Sequence, residues 1–276
     1  NAPNGGATPI TESSLNSEDY FKKYAQIAGY FGNDFPKPNT APNYTTEYTR
    51  YTSEGNVKLY TSKSNGAQLG TFFNAVVTPN YNSLKELTVE LAKQLNQYPT
   101  GVITVTIDSS CSAPATQAYN VELSKRRIAS LIKFFNETEA LKKFITGSPQ
   151  RLILKEGNAA GENSQVKQFD DKAGAFINGQ TVSCTDGDPQ ASGGDTKAST
   201  EIFTTTAMAC RRAYVSSITG TLTAPITPPP PQTQDILVGN VVTSTVKVPV
   251  VEQVRRERNN VTKLVLRSLL SECDYF

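Results

Sequence analysis

Apolar positions along the chain fall into short blocks whose spacing changes from helical to alternating and back. Tyr20, Phe21, Tyr24 and Ile27 share one side of a predicted helix from Glu18 to Gly29, with Ser17 as its cap, after a tail over residues 1–17. Tyr30 to Pro38 reads as a turn, because Asn33-Asp34 and two prolines prevent regular pairing. Tyr44, Tyr48 and Tyr51 then recur as a half-buried helical stripe. Thr71 to Val77 is predicted as a strand, and Ser83 with Glu86 as a capping box that opens a helix running to Gln97, with Leu84, Leu87, Leu91 and Leu95 inward. From Gly101 to Asp108, Val and Ile alternate with Thr, the pattern of a strand with one buried face. Leu123, Arg127, Leu131 and Phe134, and with them Ile128, Ile132 and Phe135, return to helical spacing, continued by a second helical piece from Glu137 to Ile145.

Further along, Arg151–Lys155, Ile202–Thr206 and Arg211–Ile218 are predicted strands, separated by a polar excursion over residues 157–200. Four consecutive prolines between Thr227 and Gln232 form a stiff spacer and mark a boundary. Beyond it, Ile236 to Val250 alternates as strand material. A helix over residues 251–271 sets Val254, Val261, Leu264, Val265, Leu269 and Leu270 against Arg255, Arg256, Arg258, Lys263 and Arg267. Such a helix needs an apolar surface to dock on, either the main domain or another subunit of a larger assembly. The expected organisation is a tail and lead-in helix (1–54), a main α/β domain (55–222), a proline-rich linker (223–235) and a C-terminal extension (236–276). The linker-like opening at Asn1 and the ending at Phe276 within an amphipathic pattern fit a processed product or a segment of a longer polypeptide.

Composition narrows the chemistry. Histidine is absent, which removes Ser-His-Asp and Cys-His nucleophile pairs and imidazole metal ligands. The chain is therefore expected to be non-catalytic, with no cofactor. A net charge of +2 gives no electrostatic case for nucleic acid, and no apolar run reaches the ~18 residues of a membrane span. Cys111, Cys184, Cys210 and Cys273 form no C-x-x-C pair. Asp186-Gly187-Asp188 with Asp195 clusters oxygen ligands but lacks the closing glutamate of a calcium loop, and reads as a solvated turn. Sequons at Asn43, Asn136 and Asn260 are expected by chance in a chain this rich in Asn and Thr.

The run Tyr119-Asn120-Val121-Glu122-Leu123-Ser124-Lys125-Arg126-Arg127-Ile128-Ala129 follows a predicted strand and opens a helix. It resembles the signature helix of the OmpA-like peptidoglycan-binding family, Y-N-x-x-L-S-x-R-R-A. Ala209-Cys210-Arg211-Arg212-Ala213-Tyr214-Val215 is similar to that family's final-strand N-R-R-V-E-I, and Tyr30 to Pro38 to a lead-in found in Bacteroidetes-type members. The resemblance covers roughly residues 70–218 and implies a β-α-β-α-β sandwich with 157–200 inserted. It also implies a location in the bacterial periplasm, cell envelope or a virion. In the family the second arginine holds the wall peptide together with an aspartate fifteen residues earlier. Here these positions are Arg127 and Ser112. Asn120, Arg211 and Arg212 complete the implied peptidoglycan-binding set.

The family's loop reads G-H-T-D; here Asp108 to Pro114 carries Ser112 where the carboxylate would meet the ammonium of diaminopimelate. A serine cannot neutralise that charge, and the missing contact is worth roughly 1.5–3 kcal/mol. The family topology also brings Cys111 and Cys210 near one another, so that a disulfide from Cys210 to Cys111 or to Cys184 competes with separate thiols. Two functions are compatible with these residues. One is a structural module of a large envelope-directed assembly, such as a phage tail, an injection machine or a secretion machine. The other is a periplasmic anchor on peptidoglycan. Wall binding requires Arg127 to face an open pocket with Ser112 and with Arg211 or Arg212. A structural role leaves that pocket filled by residues 157–200 or by a neighbouring chain, and a buried, paired Arg127 counts against wall binding.

Overall fold

The computed structural model describes residues 14–185 and 202–223. The tail before Ser14, Asp186 to Asp195, Cys273, the proline spacer and the predicted strands and helix beyond it lie outside the described residues.

A mixed five-stranded sheet organises the chain. Its central strand β3 (Val102–Ser110) runs parallel to β4 (Leu152–Ala159) on one side and antiparallel to β7 (Arg212–Thr223) on the other. Two short segments share the far edge of β7: β1 (Ser14–Asn16) pairs with its end and β2 (Ala28–Tyr30) with its start. The alternation read in the sequence is realised in β3, where Ile103, Val105 and Ile107 are buried. They join a core with Leu84, Leu87, Leu91 and Leu95 of α5 (Thr78–Gln97) and Ile128, Leu131 and Phe135 of α6 (Gln117–Glu137). Helix α7 (Glu139–Ile145) seals this core with Leu141 and Phe144.

Several expectations are corrected. Thr71–Val77 is helical: α4 (Gly66–Phe72) passes through a π turn (Phe73–Val77) directly into α5. Phe72, Phe73, Val76 and Val77 are buried while Asn74 and Ala75 are exposed, a two-in, two-out pattern that suits a helix and not a strand. The π turn precedes Pro79, which offers no N–H to the turn below it, and the amide of Asn80 donates to the Val76 carbonyl at 2.9 Å. Ser83 is consequently mid-helix and caps nothing. Near the start, the helix expected over Glu18–Gly29 is only α1 (Ser17–Phe21) and a 3-10 turn (Lys22–Tyr24) before β2. Ser17 is its first residue and donates instead to the Gly220 carbonyl at 2.6 Å.

The tyrosine stripe forms as expected, on α2 (Tyr44–Tyr51), with Tyr44 and Tyr51 buried and Tyr48 stacked on Tyr81 at 3.8 Å. Helix α3 (Glu54–Thr61) follows it. The excursion after residue 157 contains β4's last residues and a two-stranded hairpin, β5 (Gln165–Asp170) and β6 (Ala175–Ser183). Its apolar residues Val166 and Phe169 pack with Tyr30, Phe72 and Met208 in a second core. Ile202–Thr206 is no strand. Thr204 accepts from the Ala207 N–H at 3.1 Å and caps α8 (Thr205–Cys210), so a local cap overrides the β-branched run. A Cys184–Cys210 disulfide ties the end of the hairpin to α8. Cys111 is a buried free thiol, with its sulfur turned into α6.

Candidate functional site

Strand β3 ends at Ser110, and the chain crosses the N-terminus of α6 before Thr116 caps it through the Tyr119 N–H at 3.2 Å. The loop after β4 closes over the same point. Gly161 donates to Ser124 Oγ at 3.2 Å and accepts from the Cys111 N–H at 2.7 Å, while the Gln117 side chain binds both the Ala160 carbonyl and the Glu162 N–H. Asn120, 1% exposed, donates to the Ala115 carbonyl at 3.1 Å and to Glu162 at 2.9 Å. Its amide thus fixes the loop that carries Ser112.

Arg127 is fully buried. Its Nε donates to the Phe35 carbonyl at 3.0 Å and one terminal nitrogen to the Ser110 carbonyl at 2.8 Å and the Cys111 sulfur at 3.1 Å. The other terminal nitrogen reaches the Gly32 carbonyl at 3.4 Å. Among the described residues no carboxylate lies within 4.0 Å of this guanidinium; backbone dipoles and the face of Phe31, 5.5 Å away, take that place. Burial lowers the arginine's pKa, with Arg211 adding repulsion and Cys111 opposing it, yet a guanidinium stays protonated in proteins. Its neighbour Arg126 donates from Nε to the Pro36 carbonyl at 2.9 Å. The two arginines of α6 therefore both grip the Gly32–Pro36 turn, so that two stretches singled out separately in the sequence meet in space.

A cleft of about 250 Å³ opens beside this clasp. Ser112, Asn120 and Arg127 line it together, as do Asn33, Asp34 and Tyr119. Ser112 is 7% exposed. The carboxylate in the cleft is Asp34, supplied by the lead-in turn, which accepts from Tyr119 and Lys37. Burial acts to raise its pKa, but the donations from Lys37 and Tyr119, with Arg126 nearby, outweigh it and the net shift is downward. The Asp34 contact raises the Tyr119 hydroxyl in turn. Asp108 does not enter the cleft; it accepts from Ser216 and the Asn158 N–H at the strand end.

Arg211 and Arg212 do not line this cleft with Arg127. Arg211 is fully buried, donating to the Ile202 carbonyl at 2.8 Å and the Tyr60 hydroxyl at 3.2 Å, with its Nε unpaired. Arg212 points into a second cleft on the other side of β7's start, against the face of Tyr214 at 4.3 Å. No group of three metal-ligating side chains occurs among the described residues, and no described helix is long and apolar enough to cross a membrane. Sequence reasoning missed Asp34, Tyr119 and Cys111 as members of the Arg127 neighbourhood, although the Asn33-Asp34-x-Pro turn was a usable signal. Compared with protein-family models and with curated protein sequences, the chain matches none of them.

Proposed function

We propose that the chain is a non-catalytic structural module of a large bacterial-envelope-directed assembly, built on an OmpA-like scaffold. The observation that carries this reading is Arg127: the side chain that would hold a wall peptide spends four donations on three backbone carbonyls and a buried sulfur. An arginine so committed has one N–H left for a ligand. Its role is to lock the lead-in turn onto the strand end and the signature helix, giving a rigid block with which neighbouring subunits, engaged in part through residues 251–271, can assemble.

A second reading, a periplasmic anchor on peptidoglycan, is favoured by one arrangement. Ser112, Asn120 and the edge of Arg127 share an open cleft with a carboxylate, Asp34. The test is co-sedimentation of the full chain with purified peptidoglycan sacculi, alongside Ser112→Asp and Asp34→Asn. The structural reading predicts that none is retained above a control protein. Retention of wild type that Ser112→Asp strengthens and Asp34→Asn weakens would replace it with the anchoring reading.

A further inference from the structure

The second cleft, about 330 Å³, is bounded by the Ala25–Ile27 turn, the β5–β6 hairpin and the start of β7. Its cations are Arg212 and Lys167, and among the described residues no acidic side chain lines it. Neither cation has a carboxylate within 4.0 Å among those residues. The Arg212 Nε is also sealed from solvent with no acceptor, a donor left unsatisfied inside the protein. Tyr214 holds the guanidinium plane from one face and the hydroxyl of Tyr30 lies near it, so the guanidinium is fixed in direction. Ile27 and Phe176 give the cleft apolar walls.

Both walls are held without a ligand. Gln26, at the rim, has φ 69°, a conformation a non-glycine residue adopts only under constraint. Here the Gln26 N–H donates to the Val215 carbonyl at 2.9 Å and the Val215 N–H to Ile27 at 3.0 Å. Tyr30 pairs in register with Arg212, and the Cys184–Cys210 disulfide pins the hairpin to the helix end just before Arg212. A preformed pocket with one fixed guanidinium, one exposed ammonium and apolar sides matches a carboxylate on a small apolar body. A phosphate would call for more convergent donors than these.

We propose that this cleft is a binding site for a small carboxylate-bearing molecule, its carboxylate on the Arg212 guanidinium and Lys167, its apolar part between Ile27 and Phe176. The test is amide NMR of the oxidised full chain titrated with benzoate, with benzamide and inorganic phosphate as separate arms. Benzoate is expected to shift Gln26, Lys167, Phe176 and Arg212 saturably at low salt, and benzamide to leave them in place. Arg212→Gln should weaken benzoate by about tenfold or more. Because Arg212→Gln touches a half-buried position, Lys167→Gln on the exposed strand provides a second arm, expected to weaken binding several-fold with an unchanged melt. Absence of saturation by benzoate, equal shifts with benzamide, saturation by phosphate alone, or undiminished binding by Lys167→Gln and Arg212→Gln would each overturn the assignment.

Discussion

Replacing Arg127 by methionine keeps much of the side-chain volume and removes the guanidinium, so it separates two opposing effects. Taking away a buried cation without a carboxylate partner relieves a desolvation cost, and buried ionic groups replaced by apolar ones are in some proteins neutral or stabilising. Against that, the carbonyls of Phe35, Ser110 and Gly32 lose the donor at 3.0, 2.8 and 3.4 Å. Each buried acceptor left unpaired costs about 1–3 kcal/mol, and the two shorter bonds should dominate. The lost donations are expected to win: two short bonds from a charged donor are worth about 1.5–3 kcal/mol each, for a net loss of about 3–5 kcal/mol. That is a large part of the ~5–15 kcal/mol stability of a typical domain. With a urea slope of about 2 kcal/mol per molar, a loss of ~4 kcal/mol moves the midpoint down by about 2 M. Arg127→Lys, which keeps the charge but cannot fork three carbonyls, should fall between wild type and methionine. Urea melts followed by far-UV circular dichroism read all three. A methionine variant within about 0.5 kcal/mol of wild type would refute the clasp.

Reduction of the oxidised chain, or Cys184→Ser, should lower stability by about 3.5 kcal/mol from the loop entropy of a 26-residue separation, read as the difference between melts with and without reductant. The Asp34 carboxyl is depressed in the folded state, so its stabilisation is present above the unfolded value of 3.8 and is lost as pH falls through the lower folded value. Asp34→Asn should therefore be less stable than wild type at neutral pH, with the two midpoints converging in acid. Glu47 has the opposite sign: burial raises its pKa against the pull of Arg50 and Arg127, and its buried Oε2 accepts no hydrogen bond, with the Arg50 Nε only as near as 3.9 Å. Its ionisation thus costs stability as pH rises past the unfolded value of 4.5, and Glu47→Gln should raise the neutral-pH midpoint while changing little in acid. Gly161 sits at φ 61° with the Gln117 side-chain oxygen 2.6 Å from where a Cβ would be, so Gly161→Ala should destabilise by more than about 1 kcal/mol in the same melts.

The parts of the fold that were legible in the sequence are those whose periodicity spans many residues. Strand β3, with Ile103, Val105 and Ile107 alternating inward, and α6, with its apolar stripe from Leu123 to Phe135, stand where the pattern put them. Thr71 to Val77 was misread because seven residues are too few to separate a strand from a helix face, and the π turn that accommodates Pro79 has no composition of its own. The edge segments β1 and β2 are three residues each and exist only through pairing with β7. At the site, Ser112, Asn120 and Arg127 could be grouped from the helix motif. The commitment of Arg127 could not, since its partners are backbone carbonyls near residue 32 and residue 35, which no side-chain pattern announces. Arg211 and Arg212, adjacent in sequence, part where α8 ends and β7 begins: Arg211 turns back to the Ile202 carbonyl and Tyr60, while Arg212 lines the second cleft.

Nitrogen-15 NMR of the arginine side chains, with and without soluble peptidoglycan fragments, tests most directly whether Arg127 serves the fold or a ligand. The closed clasp predicts one strongly protected Nε–H, lost in Arg127→Lys, whose shift and exchange rate do not change when fragments are added. A rapidly exchanging Nε–H that becomes protected, or shifts saturably, on adding the fragments would contradict the structural reading.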